Sequence, residues 1–517
     1  MAQTFEDITK DVVDRFIQNV LFIDDNAYDS DKKGNAFDTQ AISSVFARKG
    51  KLCAVYAPSS AKDLVNCATL FAKSDVIVLD WYLNLNSEKT IEDEELDADA
   101  EEPRGVYTLN LIKNIVEDAS DKKLKLVVVY TGETDLKGIT EDIYKDVSQY
   151  NCFEQGDCCV SSSNVMIIVR AKYNGEDQYK HLEDLKSKVV KYDDLPDLIV
   201  SAFANHVNGL LSNFALTAIS MIRENTSRVL NVYSSKLDIA YLGHKTVLPN
   251  KDDSKKLLIK LFGESIIDLI SSIETDTQNW ISLWTENRFS EPKIMNISDK
   301  KTISVNKDIL GKLFLENFDD FGKYIKALFP DLSNSDIRAI HNNSTMLLCD
   351  NADTIKMSNI LFAKLTHHKN VFLPQRECPI LTLGTVIRSI KKNKYYLCIQ
   401  QKCDSLRIDG DRRFLFLPLV ETGGETHIII NNENDFQVAK STFEIKTIIF
   451  EADKSKRCIC SKRVEGIESF VFTSIYNEKY EWVLELKELH AQRILNSYCA
   501  NLARVGIDES EWLRLLS

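Results

Sequence analysis

Five short apolar runs limit most strongly how this 517-residue chain can fold: VLFID (20–24), LCAVYA (52–57), DVIVLD (75–80), KLVVVYT (125–131) and VMIIVRAK (165–172). They are short and rich in Val and Ile, as buried strands are, whereas the stretches between them carry apolar residues at helical spacing. AFDTQAISSVFARKG, AKDLVNCATLFAK and GVYTLNLIKNIVEDA are the clearest of these helical stretches. A strand apolar on both faces needs cover on both faces. Five such strands alternating with helices therefore predict a doubly wound parallel sheet.

Residues 1–200 carry this α/β pattern. Residues 201–371 change to long amphipathic periods, as in LIVSAFANHVNGLLSNFALTAISMIREN and KKLLIKLFGESIIDLISSIET, and read as mainly helical. Residues 372–483 read as an antiparallel β-rich barrel or sandwich, with strands such as YYLCIQ and RRFLFLPLV separated by charged or glycine-containing turns like KKNK. Residues 484–517 close the chain with helices, Asp508 being placed to cap ESEWLRLL. The predicted class is thus multidomain: α/β, then α, then β. One insertion stands out: SEKTIEDEELDADAEEPR (87–104) is too uniformly acidic to pack and reads as a solvated loop after the third strand.

The net charge of −13, from 64 basic and 77 acidic residues, argues against a broad nucleic-acid footprint, which needs clustered Lys and Arg. No run of about 18 apolar residues occurs and the N-terminus lacks the form of a secretory signal, so the expectation is a soluble, cytoplasmic protein without a membrane span. Twelve cysteines without CxxC spacing fit reduced thiols, and the pairs Cys158/Cys159, Cys398/Cys403 and Cys458/Cys460 read as buried or incidental rather than metal-binding.

In a doubly wound sheet, ligands bind beyond the carboxyl ends of the strands. There the chain places Asp24 and Asp25 after strand one, Asp80 after strand three, Thr131 after strand four and Lys172 after strand five. Converging carboxylates repel, by about 4 kcal/mol per close pair at an effective dielectric near 20. A hard divalent cation such as Mg2+ resolves the conflict, and a carboxylate beside it can act as nucleophile toward a phosphoryl group. Asp80 is the candidate nucleophile. Lys172 would neutralise a phosphoryl oxygen and Thr131 would offer a reorienting hydroxyl.

This ordered set, DD, D, T and K at successive strand ends, resembles the receiver domain of two-component response regulators. The resemblance spans about residues 15–200 and implies a flavodoxin-like sheet, phosphorylation of Asp80 by a histidine kinase, and a switch pair in Thr131 and Lys172. It implies Mg2+ held by Asp24, Asp25, Asp80 and the Tyr82 backbone carbonyl. The chain is longer than the family pattern: Asp25 to Asp80 spans 55 positions, Asp80 to Thr131 spans 51 and Thr131 to Lys172 spans 41. Tyr173 stands where the family has proline after the lysine, and Val169 where an aromatic is common. In its enlargement the domain is similar to receivers of Detocs-like bacterial anti-phage systems. That likeness implies a defence setting, a role as phosphate sink or response regulator, and a second receiver or an effector protein as partner. The other readings are a pseudo-receiver acting by protein contact alone and a receiver-gated nucleic-acid-binding effector.

Other motifs read more plainly. DSDKKGN (29–35) begins like a calcium loop, but its twelfth position is Gln40, so a surface loop is the simpler reading. KKNKYYLC and DGDRRFLF read as charged hairpin turns, and His367 with His368 as a solvated helix end. Trp280, Ile281, Leu283 and Trp284 mark an apolar helix face, either core or partner surface, with a homodimer through the middle helices as the expectation for a partner surface.

Overall fold

The computed structural model describes residues 3–28, 37–85, 104–119, 123–150, 153–173, 183–248, 253–289, 291–298, 301–369, 378–421, 428–430, 435–438, 444–464 and 467–502. The acidic insertion apart from Arg104, the DSDKKGN loop and the ESEWLRLL helix with Asp508 lie outside the described residues. The chain divides into two compact units: 1–292 with 305–330, and 293–304 with 331–517.

In the first unit, strands β1 (Asn19–Ile23), β2 (Leu52–Tyr56), β3 (Val76–Leu79) and β4 (Lys125–Thr131) are joined by β5 (Glu154–Gly156), β6 (Cys159–Ser161), β7 (Val165–Lys172) and β8 (Val189–Val190). The parallel core has the order β2-β1-β3-β4-β7. It is the flavodoxin-like order with its crossover reversal between β1 and β3, so the five-stranded parallel sheet expected from the Val- and Ile-rich runs is present. Three further short strands extend it. β6 pairs antiparallel and β8 parallel with the outer edge of β7, covering backbone groups that would otherwise stand unpaired.

Side-chain alternation divides the sheet into two cores. Leu21, Ile23, Ile77, Leu79, Val127 and Val129 face α3 (Cys67–Phe71), α4 (Val106–Ala119) and α5 (Leu136–Val147). Val20, Phe22, Val76, Val78, Leu126 and Val128 face α1 (Phe5–Phe16), α2 (Thr39–Arg48) and α6 (Leu195–Val207). Each such side chain contributes about 1.5–3 kcal/mol when fully buried. The stretch read as one long helix after residue 198 is broken: Asn208 has ψ 93° and Gly209 is fully extended, so α6 ends and α7 (Leu210–Glu224) starts anew. α8 (Thr226–Val232), α9 (Asp238–Val247), α10 (Asp253–Ser271) and α11 (Thr277–Arg288) continue this unit.

A β-hairpin of the second unit, β9 (Lys293–Ser298) and β10 (Lys301–Val305), precedes α12 (Lys307–Leu315) and α13 (Phe318–Leu328) of the first. The second unit continues with α14 (Asn334–Asn342) and α15 (Ala352–His367). An antiparallel sheet follows: β11 (Thr385–Ser389), β12 (Lys394–Cys398), β13 (Asp411–Glu421), β14 (Ile428–Ile429), β15 (Asp435–Val438), β16 (Lys446–Glu451), β17 (Lys462–Val464), β18 (Ile467–Thr473) and β19 (Lys479–Glu485). Its order is β14-β15-β13-β12-β11-β19-β18-β17, with β16 also on β13. A bridge between Phe450 and Ser474 links β16 to the end of β18, curling the sheet around Phe414, Phe416, Phe450 and Phe472. α16 (Glu488–Leu502) covers the opposite face through Ala491 and Ile494. The antiparallel β-rich C-terminal region expected from sequence is thus observed. Among the described residues no helix is long and apolar enough to cross a membrane, and the cysteines are free thiols.

Candidate functional site

The parallel register brings the site together. Ile23 pairs with Leu79, so Asp24 and Asp80 emerge at the same level on the two strands flanking the crossover reversal. The ladder continues one step past each strand: Asp24 N donates to Tyr56 O at 3.2 Å and Asp80 N to Ile23 O at 2.9 Å. Both carboxylates therefore hang from fixed backbone. Asp24 Oδ1 accepts from Asn26 N at 3.0 Å, an Asx turn that bends the chain away after β1. Asp25 is held by Asn26 Nδ2 at 3.1 Å and Asn84 N at 3.2 Å. Thr108 Oγ1, at the start of α4, donates to the Asp80 carbonyl at 2.7 Å.

Thr131 pairs with Ala171 across β4 and β7, which puts Lys172 one step beyond it at the same edge. The Thr131 side chain is buried and its Oγ1 accepts from Glu133 N at 3.1 Å. Lys172 Nζ lies 2.7 Å from both Asp24 Oδ2 and Asp80 Oδ2, a bridge between the two strands. All five polar residues singled out at the strand ends thus gather at one edge. Tyr82 is exposed, its ring 5.6 Å from the Arg104 guanidinium, and it lies in the short segment whose Asn84 amide reaches Asp25.

Burial pushes the Asp80 carboxyl up to about 6; Lys172 pulls it back, and Asp24 adds to the rise. For Lys172 burial acts in the opposite sense, lowering it, yet Asp80 and Asp24 outweigh that and hold the ammonium above its ordinary value. Lys172 is thus a fixed cation. With the three carboxylates ionised, the local sum is −3 + 1 = −2, which one divalent cation would neutralise. One oxygen from each of Asp24, Asp25 and Asp80 lies within 4.8 Å of the others. Carboxylates are the donors a hard cation of the Mg2+ type takes, so the residues present fit such an ion.

Several contributors lie outside the strand-end pattern. The Phe37 and Tyr130 rings stand 5.6 and 6.0 Å from Lys172 Nζ, and both pack against Tyr192. Arg104, the last residue of the acidic stretch, pairs with Glu133 at 3.1 Å near the rim. Tyr130, which immediately precedes Thr131, was the one signal in the sequence for this aromatic wall; Phe37 and Tyr192 reach it only through the fold. The alternative sites are otherwise engaged. His367 stacks on His490 at 3.8 Å instead of being solvated, and burial together with the His490 and Arg493 charges lowers it to about 4. The DGDRRFLF turn is tied down by an ion pair between Asp409 and Arg457 at 2.7 Å.

Residues 16–177 match the family model of the response receiver domain, which is under half of the chain. No curated protein matches the chain.

Proposed function

We propose, with a response receiver domain at residues 16–177 as the premise, that the chain is a magnesium-dependent phosphoacceptor and that Asp80 takes the phosphoryl group from a histidine kinase. The observation carrying this reading is the Asp80 carboxylate, set among two further aspartates and bridged to Asp24 by Lys172. Asp80 attacks phosphorus with a carboxylate lone pair: an O–P bond forms, the N–P bond to the donor imidazole breaks, and its electron pair returns to the imidazole nitrogen. Asp24, Asp25, Asp80 and the Tyr82 carbonyl would hold Mg2+, which supplies charge neutralisation for the phosphoryl oxygens when bound. Lys172 is already within hydrogen-bond reach of the nucleophile and pairs with the new phosphoryl oxygens, while the Thr131 hydroxyl turns toward them. The protein assists its own phosphorylation and hydrolysis and does not turn over a separate substrate.

The setting we propose is a cytoplasmic, two-component-like defence system in which this chain acts as phosphate sink or response regulator beside a second receiver or an effector. Its support is the likeness of the enlarged receiver to those systems. The test is incubation with Mg2+ and acetyl phosphate or the cognate kinase, read by intact mass. One labile phosphoryl adduct is expected on the wild type, none on Asp80→Asn, and a strongly reduced yield on Asp25→Asn. A wild type that stays unmodified with its kinase overturns the proposal in favour of a pseudo-receiver that works by contact alone.

A further inference from the structure

The thiols of Cys458 and Cys460 meet, their sulfurs 3.5 Å apart, close enough for one to donate an S–H hydrogen bond to the other. They belong to a segment that is pinned on both sides. Cys458 pairs with Leu406 and Asp453, and Cys460 pairs with Ile380. Arg457 O accepts from Ile408 N, Ile459 O from Leu381 N and Pro379 O from Ser461 N, each at 2.9 Å. Residues two apart in an extended chain point to one side, so this pinning sets the two thiols next to each other.

Cys458 is buried and Cys460 partly exposed, which gives the pair an inner and an outer sulfur. The surroundings favour a thiolate on the outer one. The hydrogen bond from Cys458 holds Cys460 below the ordinary thiol value, Lys456 and Lys462 add to the fall, and burial and Asp453 oppose it. That hydrogen bond, together with burial, raises Cys458, which keeps its proton. A thiolate beside lysines and next to a second thiol is the arrangement that peroxide attacks and that a disulfide then resolves. Cys403 and Cys499 are more exposed than Cys460, so accessibility alone would make them the reactive thiols.

We propose that Cys458 and Cys460 form a peroxide-reactive dithiol, with Cys460 as the attacking sulfur and Cys458 as the resolving one. The Cys460 thiolate attacks one oxygen of hydrogen peroxide: an S–O bond forms, the O–O bond breaks and hydroxide leaves. That hydroxide takes the Cys458 proton and becomes water. The Cys458 thiolate then attacks the Cys460 sulfur, the S–S bond forms, the S–O bond breaks and a second hydroxide leaves. Two electrons pass from the sulfur pair to the peroxide. Closing the bond shortens the segment by about 1 Å, because two extended residues span about 6.6 Å whereas the Cα atoms of a disulfide usually lie about 5.5–6 Å apart. Ile459, between the two cysteines, packs in the core of Phe414 and Phe450, so the change reaches the interior of the β-rich unit. The pair lies outside the receiver-matched residues, and its oxidation does not depend on phosphorylation of Asp80.

The test takes the reduced full chain, adds hydrogen peroxide in small excess with a chelator present, and alkylates the remaining thiols with iodoacetamide. Trypsin, cutting after Arg457 and Lys462, releases both cysteines in the one peptide CICSK. After peroxide this peptide is expected unalkylated and lighter by two hydrogens, and dithiothreitol should restore it, while the Cys403 and Cys499 peptides stay alkylated. In Cys458→Ser, Cys460 should be trapped by dimedone as the sulfenic acid; in Cys460→Ser, residue 458 should remain alkylated. Without peroxide, Cys460 should reach half its maximal alkylation rate at a lower pH than Cys403 and Cys499. Amide hydrogen exchange at Leu381 and Ser461 should quicken on oxidation. A CICSK peptide that stays doubly alkylated while Cys403 or Cys499 is oxidised overturns the proposal, as does a disulfide joining either cysteine to a different one.

Discussion

At Asp80 two demands oppose each other: the nucleophile and metal ligand proposed for it must be ionised, whereas its position between buried strands disfavours charge. Burial wins in part, and the carboxyl stands at about 6, above the ordinary 3.8. The folded chain therefore holds a proton on Asp80 between about pH 4 and 6 that the unfolded chain has released. The contribution of this group to stability is full below about pH 4 and is lost as pH rises through about 6. In chelator-containing buffer at pH 7.5, Asp80→Asn should consequently be more stable than the wild type by about 1–3 kcal/mol. That gain should shrink as the pH falls from 6 toward 4, measured by urea unfolding at each pH. Lys172 keeps Asp24 as its partner in the variant, so the gain is that of removing the buried Asp80 charge net of its own pairing with Lys172. That Asp24, Asp80 and Lys172 belong together was legible in the sequence, because each ends a Val- and Ile-rich run. Which group relieves the carboxylates was not. A cation between them was the expectation, and the structure shows that the Lys172 ammonium already bridges two of the three.

Among the elements, α6 and α7 extend the cover of the sheet beyond residue 177, the end of the receiver match. Ile199, Phe203 and Ala204 of α6 share a core with Phe22 and Val128. α7 is tied down by Arg223, whose guanidinium reaches Asp75 at 2.8 Å, and Asp75 in turn accepts from the amides of Gln18 and Asn19 at the start of β1. Arg15 and Glu224 add an ion pair between α1 and α7. Residue 200, read from sequence as the end of the first domain, falls within α6. A fragment 1–200 should therefore lack cooperative unfolding, whereas 1–226, which keeps both helices, should unfold in a single transition by circular dichroism. The helical period before and after Asn208–Gly209 was readable as helix, whereas the break between α6 and α7 was not read from sequence. The β5–β6 pair was not readable. EQG and CVS carry no strand signal of their own: CVS is a strand because the open edge of β7 offers it hydrogen bonds, and EQG because CVS then offers its own far edge.

For the molecule as a whole, net charge sets an expectation for one partner class. At −13, and with the Arg457 and Arg388 guanidinia of the β-rich unit paired to Asp409 and Glu481, weak attraction for phosphate backbones is expected. Filter binding or anisotropy at about 50 mM salt should show no salt-dependent association with DNA or RNA, and tight binding that weakens with salt would reinstate the nucleic-acid effector reading.

What the sequence determined by itself is local: the strands and helices, whose apolar spacing records the face each presents, and the chemistry left at each strand end. What only the tertiary structure decided depends on residues far apart in the chain. Lys172 meets Asp24 across 148 positions and Asp80 across 92. The rise of Asp80 to about 6 exists only where the fold has removed water from its surroundings. The curling of the C-terminal sheet through Phe450 and Ser474 belongs to the same class. Periodicity is a property of neighbours in sequence, whereas pairing and desolvation are properties of neighbours in space.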